Sequence, residues 1–501
     1  MTDGLGLGDA YSATLGRIKA QGGEKARLGM AALMWISHAE RPLKADELCH
    51  ALAVEIGSPN LNTDNVPSIS TLLACCQGLV VVEKKSSTVR LIHFTLLEYL
   101  RAHPDLFGAA HSTMAETCLS FLNSQQVKAF SITPSPNLQD TPFLEYSSLY
   151  WGVHAKRNPS DPAKQLALKL FDDYNRHISI KILLKVSGMR RDTMDFDKPF
   201  LFSGLHCASF FGIVEIVASL AEMESCDINQ ADFTGNAPLH WAAFNGHSRV
   251  VETLLRRDGI SPDKPGEGGQ TPLHHAAARG HEGAAKALLG RDGVSSDKPD
   301  NRSQTPLWWA ASNGHAGVVK MLLEWGDVNP DKPNYYGGTP LFRAACEGHE
   351  GAVKILLGRG DVDPNQETHG GLTPLWCAAC YGHEGVVRML LERDDINPNK
   401  HRDGQTPLRV AVNNRHEGVV KILLERADVI PDICGGGGTP LHIAVSRRHL
   451  GIVKLLLRRD DINPNKFDKD GKTPLDRAIR QGYQAAIALL QPRESTTPSL
   501  P

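Results

Sequence analysis

The sequence has no long apolar run, no excess of one charge and few cysteines. No segment approaches the roughly 18 to 20 uninterrupted apolar residues that a membrane span needs, and the start lacks a basic segment followed by an apolar one. Lys and Arg total 54 against 56 Asp and Glu, so the net charge of −2 favours neither nucleic acid nor anionic lipid. We therefore expect a protein that stays inside the cell, in the cytoplasm, the nucleus or both, without membrane or direct nucleic-acid contacts.

Cysteine is too sparse to suggest a disulfide framework. There are ten cysteines in 501 residues, spread from Cys49 to Cys434. Intracellular proteins usually keep such residues reduced. The sequence therefore predicts free thiols.

Motifs that could carry catalysis or bind a metal are incomplete. His-Glu-Gly recurs four times, but Ala or Val stands four residues after each histidine, where a zinc motif needs its second ligand. Cys377 and Cys380 have the spacing of a redox or zinc pair without a second pair. The Gly-Lys-Thr at 471–473 has Lys466 where a phosphate loop needs its first glycine. We therefore predict no catalytic residues, no cofactor, no metal and no small-molecule substrate.

Most of the sequence is instead a repeat. The stretch TPLWWAASNGH at 305–315 recurs, with variations, every 33 or 34 residues. The nine copies begin at Ser203, Ala237, Thr271, Thr305, Thr339, Thr373, Thr406, Thr439 and Thr473. A fixed period of this length indicates a solenoid, in which each unit packs mainly on its neighbours.

Each copy has the pattern of two helices followed by a loop. Thr followed by Pro suits a helix start, because Thr can cap the first turn and Pro lacks an N–H that would be unsatisfied there. A glycine such as Gly314 then ends the helix in the left-handed conformation. The stretch 317–328 has Val-Val-x-x-Leu-Leu at helical spacing, and a polar run rich in Pro, Asp, Asn and Gly follows as a turn.

The pattern Thr-Pro-Leu-His-x-Ala-Ala, Gly-His and Val-Val-x-x-Leu-Leu, repeated in phase over 201–490, resembles the ankyrin repeat. The resemblance implies a mainly α fold, an ankyrin-repeat solenoid of nine repeats, with a concave face of first helices and loop tips. The first copy and the last three depart from the pattern, as outer repeats with a capping role do. We expect His240, His274 and His442 to form hydrogen bonds within this scaffold.

Trp308 and Trp309 raise the question of an aromatic binding site. Trp308 stands where the repeat usually has His, and Trp309 follows at a position that usually packs against neighbouring repeats. We interpret both as packing residues.

A partner is expected to contact the loop tips and the two positions after the Ala pair. Aromatic residues and Arg are the usual anchors of interfaces. The candidate residues are Phe233, Phe244, Asn245, Arg279, Asn313, Tyr335, Tyr336, Glu347, Tyr381, Arg402, Asn413, Asn414 and Arg447. The positions after the Ala pair also include Phe211 and Cys346, and we expect Phe244, Tyr335, Tyr336 and Tyr381 along one groove. The alternative for each is a partly exposed residue that binds nothing.

The region before the repeats has a different pattern. Three helical stretches precede LVVVEKKSSTVRLIHF at 79–94, which reads as a hairpin, and this order is that of a winged helix. The predicted domains are a helical lead-in at 1–23, a winged-helix-like domain at 24–106, a helical linker domain at 107–200, the ankyrin repeats at 201–490 and a disordered tail at 491–501.

Three phrases, GDAYSATLGRI, LLACCQGLVVVEKKSSTVRLIHFTLLEYL and PFLEYSSLYWGVHA, resemble the segment that follows the nucleotide-binding domain in fungal NACHT-ankyrin proteins, which themselves resemble innate-immune receptors. That nucleotide-binding domain is missing here, so we expect no nucleotide-driven switching by this chain alone. The winged helix of this architecture is usually an intramolecular packing module, and SISTLLACCQ carries no Lys or Arg to neutralise phosphates.

The sequence thus favours a non-enzymatic scaffold or regulator that binds protein partners through its concave ankyrin surface. One alternative is a coregulator that binds a transcription factor. A second is a truncated NACHT-ankyrin receptor. A third, from a different class, is an enzyme with a site between the N-terminal module and the repeats.

Overall fold

A computed structural model describes residues 6–130, 141–186, 201–325 and 328–491. The chain divides into two compact units, residues 1–261 and 262–501. The tail expected at 491–501 lies outside the described residues except for Gln491. Among the helices that are described, none combines the length and apolar character needed to cross a membrane.

The first unit begins with the predicted three helices and hairpin, after a lead-in helix. The elements are α1 (Leu7–Ala20), α2 (Gly23–His38), α3 (Ala45–Ala53), α4 (Ile69–Cys75), β1 (Val80–Glu83), β2 (Thr88–Leu91) and α5 (Phe94–Ala102). The strands are antiparallel, with Val82 opposite Val89. The chain before α3 adds to the hairpin, because the Val89 N–H donates to the Leu43 carbonyl at 2.8 Å. The predicted winged-helix order is confirmed.

A helical segment follows and shares an aromatic core with α2. Its helices are α6 (Ala110–Asn123), α7 (Gln125–Phe130), α8 (Leu144–Arg157), α9 (Asp161–Phe171) and α10 (Ile178–Val186). The ring of Trp35 in α2 lies 5.5 Å from that of Phe143 and 5.8 Å from that of Tyr146. All three side chains are buried, so the winged helix and the helical segment have a common core.

The first two repeats complete this unit with α11 (Gly204–Phe211), α12 (Val214–Ala221), α13 (Pro238–Phe244) and α14 (Ser248–Leu255). Phe211 packs on α8. The centroid of its ring lies 5.2 Å from that of Trp151, and a Cβ on Gly152 would lie only 2.2 Å from the Phe211 ring. The expected capping role is therefore wrong for the first repeat, because the helical segment covers it. Phe211 is also wrong as a partner contact, since it is 6% exposed.

The described residues of the second unit form seven helix pairs. The first, or inner, helices are α15 (Pro272–Arg279), α17 (Pro306–Ser312), α19 (Pro340–Glu347), α21 (Pro374–Tyr381), α23 (Pro407–Asn413), α25 (Pro440–Ser446) and α27 (Pro474–Arg480). The second, or outer, helices are α16 (Glu282–Leu289), α18 (Ala316–Glu324), α20 (Glu350–Leu357), α22 (Glu384–Leu391), α24 (Glu417–Leu424), α26 (Leu450–Leu456) and α28 (Gln484–Leu490). Neighbouring inner helices pack on each other, as do neighbouring outer helices. The predicted ankyrin solenoid is confirmed.

The start of each inner helix follows the sequence pattern. The Thr305 hydroxyl accepts a hydrogen bond from the Trp308 N–H at 3.1 Å, and Pro306 occupies the first turn. The Ala pair of this repeat, Ala310 and Ala311, is 0% exposed, because small side chains let neighbouring inner helices approach closely.

The glycine that ends most of the inner helices leaves room for the next repeat. Gly382 has φ +80°, and a Cβ there would lie 2.6 Å from the ring of His416. His416 contacts the Cys380 carbonyl through Nε2 at 2.9 Å. Arg415 takes the glycine position one repeat later with φ +62°, and His449 there contacts the Val412 carbonyl through Nδ1 instead. A side chain at this position is thus accompanied by a different histidine contact.

Cys346 and Cys377 form a disulfide that links α19 to α21. The prediction of free thiols is therefore wrong for these two residues, because stacking brings the facing sides of neighbouring inner helices together across 31 residues of sequence. Cys346 is consequently wrong as a partner contact, and Cys377 is not paired with Cys380. The other eight cysteines are free.

Candidate protein-binding surface

Two rows of exposed side chains run along the second unit. One row consists of the loop tips that precede the inner helices, and the other consists of the C-terminal ends of the inner helices. We refer to these as the tip row and the helix-end row.

The tip row presents two adjacent tyrosines. Tyr335 is 69% exposed and Tyr336 is 68% exposed, and their rings meet edge to face with centroids 5.4 Å apart. Arg402 is exposed two tips further along. Tyrosine and arginine offer apolar area together with hydrogen-bond donors, which is the chemistry of interface anchors.

Main-chain hydrogen bonds join successive tips. The N–H of Asn301 donates to the Gly268 carbonyl, that of Tyr335 to the Arg302 carbonyl, and that of His369 to the Tyr336 carbonyl, each at 2.9 Å. The tips are therefore held together by the backbone, which lowers the conformational entropy that a partner would have to remove on binding.

The helix-end row is more polar. Tyr381 is 61% exposed, and Glu347 forms an ion pair with Arg343 at 2.5 Å. The remaining members of the row in this unit are Arg279, Asn313, Asn413, Asn414 and Arg447. All of them are exposed except Asn413, which is partly exposed.

The asparagines of this row also serve the scaffold. The Asn313 amide donates to the Trp309 carbonyl at 2.9 Å, and the Asn414 amide donates to the Cys380 carbonyl of the preceding repeat at 2.8 Å. Asn413 donates to the Asn414 side chain at 3.1 Å. A partner would meet these amides in fixed orientations.

The three candidates at lower numbers belong to the first unit. Phe233 is 38% exposed, Phe244 is half-buried with its ring 6.1 Å from that of Trp241, and Asn245 donates to the Trp241 carbonyl at 3.1 Å. The expected single groove of Phe244 and three tyrosines stays a prediction. Phe244 lies in a different unit, and the tyrosines occupy two rows.

Trp308 and Trp309 are packing residues, as predicted. Trp308 is 6% exposed and donates through Nε1 to the Gly338 carbonyl, thirty residues ahead, at 3.2 Å. His274, at the equivalent position, contacts the Gln304 carbonyl through Nε2 at 3.1 Å. The indole N–H thus replaces the imidazole in the same link between repeats, while Trp309 donates to the Asp300 carboxylate at 3.1 Å.

The recurrent histidines are also scaffold residues, as predicted. In His274, Nδ1 accepts from the Thr271 N–H at 3.0 Å, and burial lowers the pKa of the ring to about 4. His442 forms the equivalent contacts, with the Thr439 N–H through Nδ1 and with the Lys472 carbonyl of the next repeat through Nε2. Burial lowers its pKa as well. The Ala237 N–H donates to His240 in the first unit at 3.1 Å.

Sequence reasoning missed two exposed aromatic residues in the second unit. Trp325 ends α18 and is 44% exposed, and Phe467 is 65% exposed in the last loop. The signal for Trp325 is that it replaces an arginine: Arg359, one period later, donates to the Leu323 carbonyl at 2.9 Å and pairs with Asp361.

Two family models match this architecture. A family model described as ankyrin repeats, in three copies, matches 173–265, 205–300, 273–368, 341–433 and 430–497. A second model, described as the winged helix domain of GPI inositol-deacylase, matches 17–111. A solved structure titled as the crystal structure of the human ASB11 ankyrin repeat domain is 28% identical and covers 45% of this chain and 100% of its own, with a TM-score of 0.39. No curated protein matches the chain.

Proposed function

Because the chain belongs to the ankyrin-repeat proteins, whose repeats are protein-protein interaction modules, we propose that it is a non-enzymatic scaffold or regulator that binds a protein partner through the tip row and helix-end row. The observation that carries this proposal is the exposure of Tyr335, Tyr336 and Tyr381 on a backbone that is already ordered.

The chemistry of these rows favours a partner with apolar side chains and acceptor groups. Three phenols supply apolar area with a hydroxyl at its edge. Arg402 in the tip row and Arg447 in the helix-end row are exposed and supply forked donors for carboxylates or carbonyls. We infer that the partner presents an extended or helical segment with carboxylate or backbone acceptors beside apolar residues.

An alanine variant tests the proposal. We expect affinity purification with the full chain to recover a protein partner, and a variant with Tyr335, Tyr336 and Tyr381 all changed to Ala to lose it. Each anchor is worth about 2 kcal/mol or more when it is part of a hot spot, so a single change lowers affinity about 30-fold. The helical circular dichroism of the triple variant should be unchanged, because the three side chains are largely exposed.

The matched control is Trp325→Ala, which removes an aromatic residue that is also exposed but lies at the end of an outer helix. This control should retain the partner. If the triple variant binds as well as the unaltered chain, or the control loses binding to the same extent, the two rows are not the binding surface.

We also propose that the winged helix and the helical segment are a second docking or regulatory element, with boundaries at 24–106 and 107–200. The burial of Phe211 against α8 supports this, since it joins the helical segment to the first repeat. Perturbing that contact with Gly152→Ala should alter protease sensitivity of the first repeats. Unchanged cleavage in this region would argue against a coupled element.

Two finer versions of the function differ in compartment. The match of 17–111 to the winged helix domain of GPI inositol-deacylase favours a relative of NACHT-ankyrin receptors, which we propose as the second candidate and expect in the cytoplasm. A coregulator bound to a transcription factor would instead accumulate in the nucleus. Imaging of the tagged full chain, followed by mass spectrometry of its partners, separates these versions.

A further inference from the structure

Three side chains with metal-ligating atoms meet between the winged helix and the helical segment. Glu40 follows α2, His111 lies in the first turn of α6 and His154 in the last turn of α8. One potential ligand atom from each lies within 4.8 Å of the others. Their sequence positions span more than a hundred residues, so packing alone brings them together.

The two imidazoles face each other through the same type of atom. Nδ1 of His111 lies 2.8 Å from Nδ1 of His154, and the rings meet edge to edge, with centroids 5.1 Å apart and an interplanar angle of 26°. Since two bare nitrogens at this distance would repel, a single proton must lie between them when nothing else is bound. Nδ1–H of one ring therefore donates to the other.

Tyr146 fixes the other end of this arrangement. Its hydroxyl lies 2.9 Å from Nε2 of His154 and accepts a hydrogen bond from the Glu40 N–H at 3.1 Å. Tyr146 and His154 are both 0% exposed. A buried polar partner on the distal nitrogen is what orients a metal-binding histidine.

Glu40 brings the only acidic group of the cluster. Its side chain is 17% exposed and pairs with Arg157, at 2.7 Å through Oε1 and 3.0 Å through Oε2. Among the described residues, Oε1 is a buried oxygen whose contacts do not meet hydrogen-bond geometry. Arg157 is half-exposed, so it can keep one oxygen while the other turns to a ligand.

We propose that Glu40, His111 and His154 form a zinc site, in which Zn²⁺ replaces the proton between the two Nδ1 atoms. The ligands are two imidazole nitrogens and one carboxylate oxygen, a set that suits Zn²⁺ and leaves a fourth position for water or another ligand. Zinc–nitrogen bonds of about 2.0–2.1 Å at a tetrahedral angle place the two nitrogens about 3.3 Å apart, so the rings must separate by about half an ångström and turn slightly. His154 then donates its Nε2–H to the Tyr146 hydroxyl.

Zinc binds the neutral form of imidazole through a ring nitrogen, which is the atom that each ring turns toward the other. The ion would connect α6 and α8 to the chain after α2, and so hold the winged helix on the helical segment.

The test is a zinc titration of the full chain after dialysis against a chelator. We expect one equivalent of Zn²⁺ to bind and to raise the thermal midpoint. His111→Ala should weaken binding about tenfold or more, and Glu40→Gln should weaken it to a smaller degree. The half-burial of His111 makes this variant tolerable to the fold, and far-ultraviolet circular dichroism checks that it is.

His103→Ala is the matched control, since His103 is exposed and stacks on Tyr99 in the same unit. Cobalt spectroscopy adds a second readout, because thiolate ligands give charge-transfer absorption that nitrogen and oxygen ligands do not. The proposal is overturned if no stoichiometric zinc binds, if folded His111→Ala binds as tightly as the unaltered chain, or if cobalt reports thiolate ligands.

Discussion

The substitution Asp331→Asn is expected to stabilise the protein. Asp331 lies in the polar loop after α18, where its Oδ2 accepts a hydrogen bond from the Asp363 N–H of the next repeat at 2.7 Å. Its Oδ1 is buried and has no hydrogen-bond partner among the described residues. Only one of the two carboxylate oxygens of Asp331 therefore has a hydrogen bond to the described part of the chain.

Asparagine at the same position of a neighbouring repeat satisfies both. Asn365 accepts from the Asn397 N–H at 2.7 Å and donates through Nδ2 to the Asp395 carbonyl at 2.7 Å. By equivalence, we expect Oδ1 of Asp331 to face the carbonyl oxygen of Asp361. A carboxylate can donate a hydrogen bond to that oxygen only when it is protonated. An amide there adds a hydrogen bond worth about 0.5–1.5 kcal/mol and removes an unsatisfied oxygen, so we expect about 1–2 kcal/mol.

The effect should depend on pH in a defined direction. Burial raises the pKa of Asp331, as does the repulsion from Asp363 and Asp361, although the Asp363 N–H opposes this. A raised pKa means that folding favours the protonated form, so this contribution to stability is present below the ordinary carboxyl pKa and is lost as pH rises through the folded value. The advantage of Asp331→Asn should therefore be largest near pH 7 and should shrink toward pH 4.

Urea unfolding of the full chain at a series of pH values measures this difference. Asn365→Asp is the matched reverse change and should destabilise by a similar amount at neutral pH. A destabilised Asp331→Asn, or an advantage that grows on acidification, would show that Oδ1 has a favourable partner as a carboxylate and would refute the reasoning.

Other substitutions test the links between repeats. Trp308→Phe removes the indole N–H that reaches the next repeat and should cost about 1–2 kcal/mol in urea unfolding; an unchanged midpoint would assign the residue's role to apolar packing alone. Arg415→Gly relieves a left-handed backbone and should stabilise by about 1 kcal/mol, seen as a higher thermal midpoint; a lower one would indicate that the arginine side chain matters more. Cys346→Ser opens the disulfide to Cys377 and should cost about 3–4 kcal/mol without reductant, but little with it, whereas Cys380→Ser should be neutral in both.

The repeats were predictable because the residues of each repeat determine its local structure. Thr305, Pro306 and Gly314 specify a helix start and end locally, and the period places neighbours without reference to distant contacts. The packing role of Trp308 followed from the same alignment, since its position is that of a buried histidine elsewhere. A local signal repeated nine times is difficult to misread.

Features that depend on pairing across repeats or domains were not predictable. The disulfide requires Cys346 and Cys377 on facing sides of adjacent helices, and composition argued against it. The cluster of Glu40, His111 and His154 has no motif, because its members come from three separate elements. The exposed fraction of each tyrosine side chain depends on how the loops pack. The sequence could suggest that these tyrosines are exposed, but it could not give that fraction.

The hydrogen bonds between loop tips hold the backbone of the proposed binding surface in place independently of its side chains. Since the donors and acceptors at Tyr335 and Tyr336 are main-chain atoms, any residue other than proline could stand at Tyr335 without breaking the connection. On the proposed binding surface, side chains can therefore change at one tip at a time while the spacing of the tips stays constant. A family of variants differing only at these tips would explore new partners at little risk to folding.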